Sequence, residues 1–559
     1  MRIAGCMGLV LALLGTVSAQ TVIYGPSTTR SFLTPMSGPQ IIVRDSQANL
    51  YVIYRYQVSS IQSDIAIARS TTGGATWNLQ WQTGFAYSTA TDYGNFGGCI
   101  AIDSQDNLHC AWFHQVATSG SRIPRTTRYN RFDAATAKWG TEWVVTPTAA
   151  YEQEYPCLDV DQKDHVWFSY GPSGWKSYVD RSDLPCAPDL KFTRYTPAFA
   201  SSASSQKVSM VVDAANRIHM TYYENGGTGG ASIKHQWVDP AATAPAWTFQ
   251  PLSNHSGNTA RADYYSKMAA DGAGNVYVIY VVDDQPVTTY TTDTEFFVRK
   301  WDGMTQTWGN PVLVHRVSHA VWYAGGKYND SRLMSGACDE TTGEFYFVYR
   351  DFGTGDFLIG RWRGIDTEPP TIYAKLMNAA PLPPTTQNYF FLPHFRGSIY
   401  PKQNRTSHGL DLLYVVGDQS AASPVYTDYF EHFPLASIAS VRAPQIGTSY
   451  PLDLSAVAEG GKVHGTALTT SRLMPLLKID RRYIPLAPDA LFWLTVGNQA
   501  PGIFSNFHGV LGASGTAQAK IAIPAVLGLV GVQVDACFVT YDGGGVRAIS
   551  NPWGFSITK

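Results

Sequence analysis

Apolar and polar residues follow each other along this chain in a recurring unit: a short apolar run, an aspartate, a polar turn and a second apolar run. The stretch 99–115, CIAIDSQDNLHCAWFHQ, is one copy. Related stretches lie at 41–56, 157–172, 210–225, 268–283, 336–351 and, in degenerate form, 409–418. Aspartate opens turns through its side chain, and runs rich in Val, Ile, Tyr and Trp favour strands, so each copy predicts a β-hairpin.

Two positions recur in these copies. The aspartates lie 52 to 68 residues apart, at Asp45, Asp103, Asp161, Asp213, Asp271 and Asp339. An aromatic residue follows nine positions later, or ten in the sixth copy: Tyr54, Trp112, Tyr170, Tyr222, Tyr280 and Tyr349, with Tyr414 in the seventh. Because every copy has them, we expect the aspartates to form turns and the aromatics to pack between copies.

The spacing of the copies predicts the fold. Each copy leaves room for two more strands, and a four-stranded sheet must cover its faces with neighbours. No amphipathic helix pattern separates the copies, so we expect an all-β protein with a seven-bladed β-propeller over residues 20–436, or six or eight blades if a terminal copy differs. From 437 to 559 the pattern stops, and short strands broken by Gly, Pro and Asn predict a small β-sandwich.

Residues 1–19 have the features of a secretory signal peptide. Arg2 precedes an apolar run from Met7 to Leu14, and Val17-Ser18-Ala19 is a small-residue cleavage site. The apolar run is too short to span a bilayer, and no later segment has the length of a membrane helix. We therefore expect a secreted or cell-surface protein that is not an integral membrane protein.

Charge and cysteine content narrow the partners further. A formal net charge of -2 over 559 residues gives no global attraction to nucleic acid, so none is expected as a partner. For an exported chain, Cys157–Cys186 is the first disulfide to test, whereas Cys99 and Cys110 fit buried packing equally well. No Cys or His spacing is typical of zinc, so no cofactor is expected, and a structural calcium stays open.

One turn resembles a motif of sialidase-type (BNR) propellers. In RSTTGGATWN, residues Ser70, Gly74 and Trp77 match their Asp-box, and Thr72 stands where the box has Asp. The resemblance implies a secreted propeller of the kind that acts on glycans.

A second stretch, 92–115, resembles a BNR-4 type motif. Four residues match it, with Gly94 in place of its His and Gly97 in place of its Pro: Asp92, Asn95, Asp103 and His114. That family includes polysaccharide lyases built on seven-bladed propellers. The resemblance therefore implies a polysaccharide as the substrate class.

The tail resembles an accessory domain found at the C-terminus of exported proteins of planctomycete-like bacteria. The segments LFWLTVGNQAPGIFSNFHGVLG and ISNPWGFSIT carry this resemblance. It implies a role in structure or cell-surface attachment, without chemistry of its own.

The propeller geometry selects candidate site residues. Loops that enter the first strands and leave the second strands lie on one face, which we call the rim end, so their polar residues converge. Six of them are candidate catalytic residues: His114, Tyr155, Tyr265, Arg332, Arg350 and Asp351. Five more are candidate substrate-binding residues: Arg55, Asn95, Glu154, Glu224 and Lys267. His114 is the sharpest candidate because no other copy repeats it, whereas His109 shares its position with aromatic residues and fits packing.

Three reaction types suit such residues, and the sequence does not choose among them. A sialidase needs an arginine cluster and a tyrosine nucleophile, and an ordinary glycosidase needs two carboxylates. A uronate lyase needs a cation for the carboxylate and a Tyr or His to move the proton. The leading hypothesis is therefore an exported propeller that binds an acidic polysaccharide, with or without turnover. The alternatives are a glycoside hydrolase, sialidase-like enzyme or polysaccharide lyase, and a non-catalytic scaffold for protein partners at the cell surface.

Overall fold

The structure is a computed structural model. It describes residues 21–27, 41–58, 62–82, 92–116, 124–133, 135–145, 150–151, 156–170, 178–184, 192–195, 204–225, 231–253, 261–284, 294–317, 334–339, 342–351, 356–375, 389–391, 394–396, 399–400, 405–406, 409–418, 425–471, 477–479, 482–543 and 545–559. Nearly all regular structure in these residues is β-strand, which confirms the predicted all-β class.

The sequence copies form antiparallel sheets in which strands pair in chain order. The first copy contains β2 (Ile42–Arg44), β3 (Leu50–Gln57), β4 (Ser63–Ser70) and β5 (Asn78–Gln82). The second contains β6 (Asp92–Ile102), β7 (Leu108–Val116), β8 (Pro124–Asp133), β9 (Lys138–Trp139), β10 (Trp143–Val144) and β11 (Ala150–Tyr151). The third is a four-stranded sheet of β12 (Cys157–Val160), β13 (Val166–Tyr170), β14 (Tyr178–Ser182) and β15 (Phe192–Arg194).

The fourth to sixth copies repeat this arrangement. The fourth contains β16 (Ser204–Val212), β17 (Ile218–Asn225), β18 (Ala231–Val238) and β19 (Thr248–Pro251). The fifth contains β20 (Arg261–Ala270), β21 (Val276–Asp284), β22 (Thr294–Asp302), β23 (Thr307–Trp308) and β24 (Val312–Val317). The sixth contains β25 (Ser335–Asp339), β26 (Glu344–Asp351), β27 (Asp356–Trp362) and β28 (Thr371–Lys375).

The last copy combines strands from both ends of the repeat region. The N-terminal strand β1 (Thr21–Ser27) lies outermost, paired with the last strand of this group. The other strands here are β29 (Tyr389–Phe391), β30 (His394–Arg396), β31 (Ile399–Tyr400), β32 (Arg405–Thr406), β33 (Gly409–Asp418) and β34 (Val425–Pro434). Closing a sheet with a strand from the far end of the chain ties the first copy to the last.

The first strands of the copies contact one another in a closed ring. Neighbouring pairs are β2 with β6, β6 with β12, β12 with β16, β16 with β20, β20 with β25, β25 with β30, and β30 with β2. Single parallel bridges, Ser63 to Gly94 and Ala231 to Ala262, also join adjacent copies. The sheets are therefore arranged radially, as in a β-propeller.

The repeated aspartates form the hairpin turns as predicted. The Asp103 carboxylate accepts the backbone N–H groups of Gln105 and Asn107, at 2.9 Å each, and the Asn107 side-chain amide. The same pattern of backbone hydrogen bonds recurs at Asp45, Asp161, Asp213 and Asp271. We call this side of the ring the turn end.

Neighbouring turns are joined at the turn end. The backbone N–H and hydroxyl of Ser46 donate to the Asp106 carboxylate, at 2.9 and 2.6 Å. Ser104 donates to Asp164 in the same way, and the N–H of Gln162 donates to the Asn216 side chain. The three acceptors have φ of 61° to 68°, a left-handed conformation that Asp and Asn tolerate better than most residues.

The repeated aromatics pack between copies, which confirms the predicted role for those whose side chains the structure describes. They are at most 4% exposed: Tyr54, Trp112, Tyr170, Tyr222, Tyr280 and Tyr349. Trp112, for example, belongs to an apolar core with Ile53 and Ile67 of the preceding copy. Cys99 and Cys110 are likewise buried. Cys157 is a buried thiol whose Sγ lies 3.3 Å from the Val208 carbonyl oxygen, and Cys186 lies outside the described residues.

The C-terminal residues form two antiparallel sheets on a shared apolar core. One contains β35 (Ser437–Ala439), β36 (Ser449–Ser455), β40 (Phe504–Ser505) and β42 (Thr516–Ala522). The other contains β37 (Val463–Thr469), β41 (His508–Val510), β43 (Gln533–Asp542), β44 (Gly545–Ile549) and β45 (Trp553–Ser556). Helix α1 (Ala490–Val496) is capped by the Asp489 side chain, and 3₁₀ turns lie at Val457–Glu459 and Leu527–Leu529.

A short hairpin links this C-terminal unit to the sixth copy. Its strands are β38 (Leu477–Ile479) and β39 (Arg482–Ile484), and β39 pairs with β28 through Arg482 and Ala374. The Arg482 guanidinium lies 4.5 Å from the centre of the Phe433 ring. The C-terminal unit therefore packs directly on the propeller-like ring of sheets. The domain boundary at 436/437 stays a prediction.

Candidate functional site

His109 and the residues aligned with it have a structural role. Five of them hydrogen-bond the aspartate of their own turn: Tyr51 to Asp45, His109 to Asp103, Trp167 to Asp161, His219 to Asp213 and Tyr277 to Asp271, all at 3.1 to 3.2 Å. Tyr346, in the sixth copy, donates to Glu344 instead. Tyr, His and Trp share an aromatic ring with a polar donor, which explains why these types exchange at this position. His109 is buried and stacks on Tyr129, as the predicted packing role requires, and it also bonds the turn aspartate at the turn end.

At the rim end, three buried side chains form a hydrogen-bonded chain between the first and second copies. The Asn95 amide donates to the Asp64 carboxylate at 2.8 Å, and Nδ1 of His114 lies 3.1 Å from Asn95 Oδ1. All three residues are at most 3% exposed. Asn95 and His114 are opposite each other in the pairing of β6 with β7, so their side chains share one face of the sheet.

The backbone next to Asn95 holds this residue in place. Gly94 has φ of 86°, a left-handed conformation, and forms the bridge to Ser63. The Ser63 hydroxyl donates to the Asn95 carbonyl oxygen at 2.9 Å. The BNR-4 type motif has His at the position of Gly94. A residue with a Cβ would be strained at this φ, so the backbone here must differ from that of a chain with His at this position.

The hydrogen bonds determine which ring nitrogen of His114 carries the proton. Because the Asn95 amide group donates to Asp64, its carbonyl oxygen faces the imidazole and can only accept. Nδ1 of His114 therefore carries the proton, and in the neutral ring Nε2 is the acceptor. Asp64, Asn95 and His114 thus form a carboxylate–amide–imidazole chain that fixes the orientation and tautomer of the histidine.

Tyr56 and Glu142 lie close enough to Asp64 for its charge to shift their pKa values. Tyr56 is opposite Asp64 in the strand pairing, and burial together with the Asp64 charge raises the pKa of Tyr56 to about 12. Burial also raises the pKa of Glu142, with Asp64 adding to the shift, although Arg128 donates a hydrogen bond to this carboxylate and opposes it. Arg128 and Glu142 are partly exposed, so they form the accessible edge of the cluster. We call these six residues the rim cluster.

Other predicted site residues lie elsewhere. Arg55 is half-buried on β3, and strand alternation points it away from the face that carries Tyr56. Lys267 is buried in β20, where desolvation lowers the pKa of its ammonium to about 8 and the Cys157 thiol acts in the opposite direction. Lys267 thus belongs to the fifth copy, whereas the rim cluster belongs to the first and second.

The remaining candidates lie outside what the structure describes. Four occupy described strands, β17, β20 and β26, but their side chains are not described: Glu224, Tyr265, Arg350 and Asp351. Three lie outside the described residues altogether: Glu154, Tyr155 and Arg332. Their roles stay predictions.

Four residues of the rim cluster were missed from the sequence: Tyr56, Asp64, Arg128 and Glu142. Asp64 and Arg128 lie on third strands and Glu142 follows a third strand, which the repeat does not align. The only available indication was strand register: His114 stands two residues after the repeated Trp112, as Tyr56 does after Tyr54. This position varies from copy to copy, unlike the aromatic before it.

The described residues contain neither a cluster of metal ligands nor a helix that could span a membrane. They contain no group of three or more His, Cys, Asp or Glu side chains placed to hold a metal ion. In the same residues, no helix has the length and apolar character needed to cross a bilayer.

The comparisons with known proteins identify no family. No family model matches this sequence, and no curated protein matches it. Among solved structures, a polysaccharide lyase of family PL25, an ulvan lyase bound to -[GlcA(1-4)Rha3S]-, is 10% identical, with a match that covers 74% of this chain and 96% of the lyase at a TM-score of 0.48.

Two other similar structures are carbohydrate-active enzymes. An α-L-arabinanase of Penicillium chrysogenum, complexed with arabinobiose, is 10% identical over 75% of this chain and 98% of its own, with a TM-score of 0.37. A Hadza microbial sialidase is 12% identical over 56% of this chain and 63% of its own, with a TM-score of 0.35. At such identities and TM-scores, these likenesses assign no activity to this chain.

Proposed function

We propose that this chain is an exported propeller that binds an acidic glycan at the rim end, between its first and second copies. The observation that carries the proposal is the chain from Asp64 through Asn95 to His114. Burying a carboxylate, an amide and an imidazole is costly unless each is hydrogen-bonded, and proteins keep such groups mainly where their orientation matters. Their position at the rim end suits a ligand site rather than the packing between sheets.

The chemistry of the rim cluster favours an acidic sugar. Arg128 supplies a guanidinium that can pair with a carboxylate or sulfate, and Glu142 and Tyr56 can hydrogen-bond sugar hydroxyls. A protonated His114 would add a second positive charge beside the ligand. Because the chain as a whole is nearly neutral, its attraction for an acidic glycan would have to come from local charges such as these.

The proposed architecture is a seven-bladed propeller followed by a C-terminal β-sandwich. The closed sequence of contacts between first strands, from β2 round to β30, supports the blade number. Export is proposed from the sequence of residues 1–19 and agrees with a surface glycan as the ligand.

Binding can be tested with a panel of acidic polysaccharides and titration calorimetry. We expect His114→Gln to weaken binding at least about tenfold, or ~1.4 kcal/mol. His165→Gln is the matched control, because His165 lies at the turn end, where Nδ1 contacts the Ser182 carbonyl oxygen at 2.8 Å. Equal losses in both variants, or no binding of any polysaccharide by the wild type, would contradict the proposal and favour the scaffold alternative.

A second candidate function is turnover of the same glycan by β-elimination. The observation that favours it is the fixed tautomer of His114, which makes Nε2 the base that could remove the proton beside a uronate carboxylate. Arg128 would neutralise that carboxylate, and the glycosidic oxygen at the β-carbon would leave. Absorbance of an unsaturated uronate product tests this reaction, and Asn95→Ala should lower the rate and shift its pH profile.

Hydrolysis of the glycan by the rim cluster would give a different product from β-elimination. Glu142, whose pKa is raised, would be the acid, and Asp64 is a second carboxylate close enough to influence it. New reducing ends without the absorbance of an unsaturated product would favour a glycoside hydrolase. Binding without either product would leave a lectin-like role.

A further inference from the structure

One end of the C-terminal unit exposes an unusual number of aliphatic side chains. They lie on three turns: Val441, Ile503, Val526, Leu527 and Val530. Val441 is 93% exposed and Leu527 is 69% exposed, so these side chains project from the surface instead of lining a groove. We call the turns 440–448, 500–503 and 523–532, together with residues 557–559, the apolar end.

Backbone hydrogen bonds hold the apolar end together. The N–H of Gly447 donates to the Ile523 carbonyl at 2.9 Å, and the N–H of Ala522 donates to the Ile503 carbonyl at 2.8 Å. The N–H of Gly531 donates to the Ile557 carbonyl at 2.8 Å. The exposed side chains are therefore presented on one preformed surface.

The charged side chains of the apolar end have a single sign. Its turns and strand ends contain no Asp or Glu, whereas Arg442 and Lys559 lie within it and Lys520 lies on the adjoining strand. All three cationic residues are exposed. Aliphatic side chains that project beside exposed cations match the apolar and anionic layers of a lipid surface.

The opposite end of the same unit differs in chemistry despite a similar backbone. Both ends have a strand, a 3₁₀ turn and a strand, with Val457–Glu459 at one end and Leu527–Leu529 at the other. At the Val457 end, Glu459 is buried and accepts two hydrogen bonds from Arg547, at 2.7 and 3.0 Å. That end also exposes aliphatic side chains, at Val457, Val463 and Val510, but its charges are of both signs and are paired within the protein. The two ends therefore differ mainly in charge.

We propose that the apolar end docks on the surface of an anionic lipid bilayer, with Val441, Leu527 and their neighbours entering the headgroup layer. Projecting turns suit a soft lipid surface, since a rigid protein partner would have to provide a matching pocket for each turn. Arg442, Lys520 and Lys559 would supply the attraction to anionic headgroups, which makes the docking sensitive to salt. This inference is independent of the glycan site.

Cosedimentation of the full chain with vesicles tests the proposal. We expect binding to vesicles of phosphatidylcholine mixed with phosphatidylglycerol, weaker binding to phosphatidylcholine alone, and release by salt. The double variant Val441→Glu, Leu527→Glu should bind at least about tenfold less, because two carboxylates would have to enter the headgroup layer. Val457→Glu, at the opposite end, is the matched control and should bind like the wild type.

Three outcomes would overturn the proposal. One is the absence of sedimentation with anionic vesicles, and another is equal loss in the Val457→Glu control. The third is a concentration-dependent dimer in size-exclusion chromatography that the double variant abolishes while vesicle binding stays unchanged, which would assign the surface to a second copy. All substituted positions are exposed, so thermal unfolding should show unchanged melting temperatures and exclude misfolding as the cause.

Discussion

The two ends of the hairpins in this ring are built on different rules. At the turn end, the same contacts recur in copy after copy: an aspartate accepts two backbone N–H groups, and a polar aromatic six residues later hydrogen-bonds its carboxylate. At the rim end, the position two residues after the buried aromatic changes identity: Tyr56, His114, Glu224, Val282 and Asp351. The turn end thus specifies the fold, and the rim end is where copies can diverge.

This difference shows why a repeat can hide a site. Contacts that every copy needs are conserved within the chain and stand out when copies are aligned. His114 and Asp64 lie where the first and second copies meet. Alignment of the copies shows His114 as an exception, and it does not show Asp64. The two ends should respond differently to substitution, with stability lost at the turn end and ligand binding lost at the rim end.

The largest effect should come from removing a turn carboxylate, as in Asp213→Ala. Asp213 is buried and accepts hydrogen bonds from Ala215 N–H, from Arg217 N–H and Nε–H, and from His219. Its loss leaves the buried Arg217 without its carboxylate, so we expect a loss of about 3 kcal/mol or more in the free energy of unfolding. Urea unfolding followed by tryptophan fluorescence measures it.

Asp302→Ala is the control for this change. Asp302 also accepts two backbone N–H groups in a turn, from Met304 and Thr305, but this turn is exposed. We expect a loss below about 1 kcal/mol, because water replaces the lost hydrogen bonds. Equal losses in the two variants would mean that burial does not determine how much a turn aspartate contributes to the free energy of unfolding.

A smaller effect, dependent on pH, should arise where the ring closes. Arg44 of the first copy donates two hydrogen bonds of 2.7 Å to Asp411 of the last, and His432 lies 2.9 Å from the same carboxylate. Although burial acts to raise the pKa of Asp411, Arg44 and His432 lower it to about 2. Since its folded pKa is depressed, the carboxylate stabilises the fold above its unfolded pKa of about 4, and this contribution is lost as pH falls towards about 2.

Variants at this pair separate its charge from its packing. We expect about 2 kcal/mol of acid-dependent stability in the wild type, measured as urea unfolding across the pH range from about 4 to about 2. The double variant Arg44→Leu, Asp411→Leu should lose this dependence and stay closer to the wild type at neutral pH than Arg44→Leu alone. An unchanged acid profile in the double variant would place the titrating group elsewhere.

The parts of the fold that were predictable depend on local contacts. The hairpins followed from the aspartates and strand-forming runs because those residues bond within four to six positions of each other along the chain. The packing of the buried aromatics followed from their recurrence. The all-β class and the radial arrangement needed no further information, since four-stranded units must cover one another.

Only two of the six residues of the rim cluster were predicted from the sequence. His114 and Asn95 were selected because strand ends converge at the rim end, and they do hydrogen-bond each other. Asp64 and Glu142 could not be selected, because their placement depends on how the third strand of one copy faces the next. Such contacts join residues that the repeat does not align, so alignment of copies says nothing about them.

The smallest effect concerns a turn that keeps its shape without its usual residue. In the Asp-box-like turn, the Ser70 hydroxyl accepts the Gly74 N–H at 2.9 Å, and the Trp77 indole donates to the Gly74 carbonyl. Thr72, in the place of the aspartate, accepts the Thr76 N–H through its hydroxyl at 2.8 Å. Its hydroxyl thus provides the acceptor that a carboxylate would otherwise provide.

Thr72→Asp should therefore stabilise the protein slightly. A carboxylate is a stronger acceptor than a hydroxyl, but the turn is exposed, so we expect a gain of about 0.5 kcal/mol in the free energy of unfolding at neutral pH. The gain should disappear in acid, once the new carboxyl is protonated, whereas Thr72→Ala should destabilise at both pH values. Thermal unfolding of the three proteins at each pH measures the difference. A gain that persists in acid would contradict this explanation. It would show that the backbone preference of aspartate, and not its charge as a hydrogen-bond acceptor, favours aspartate at this position.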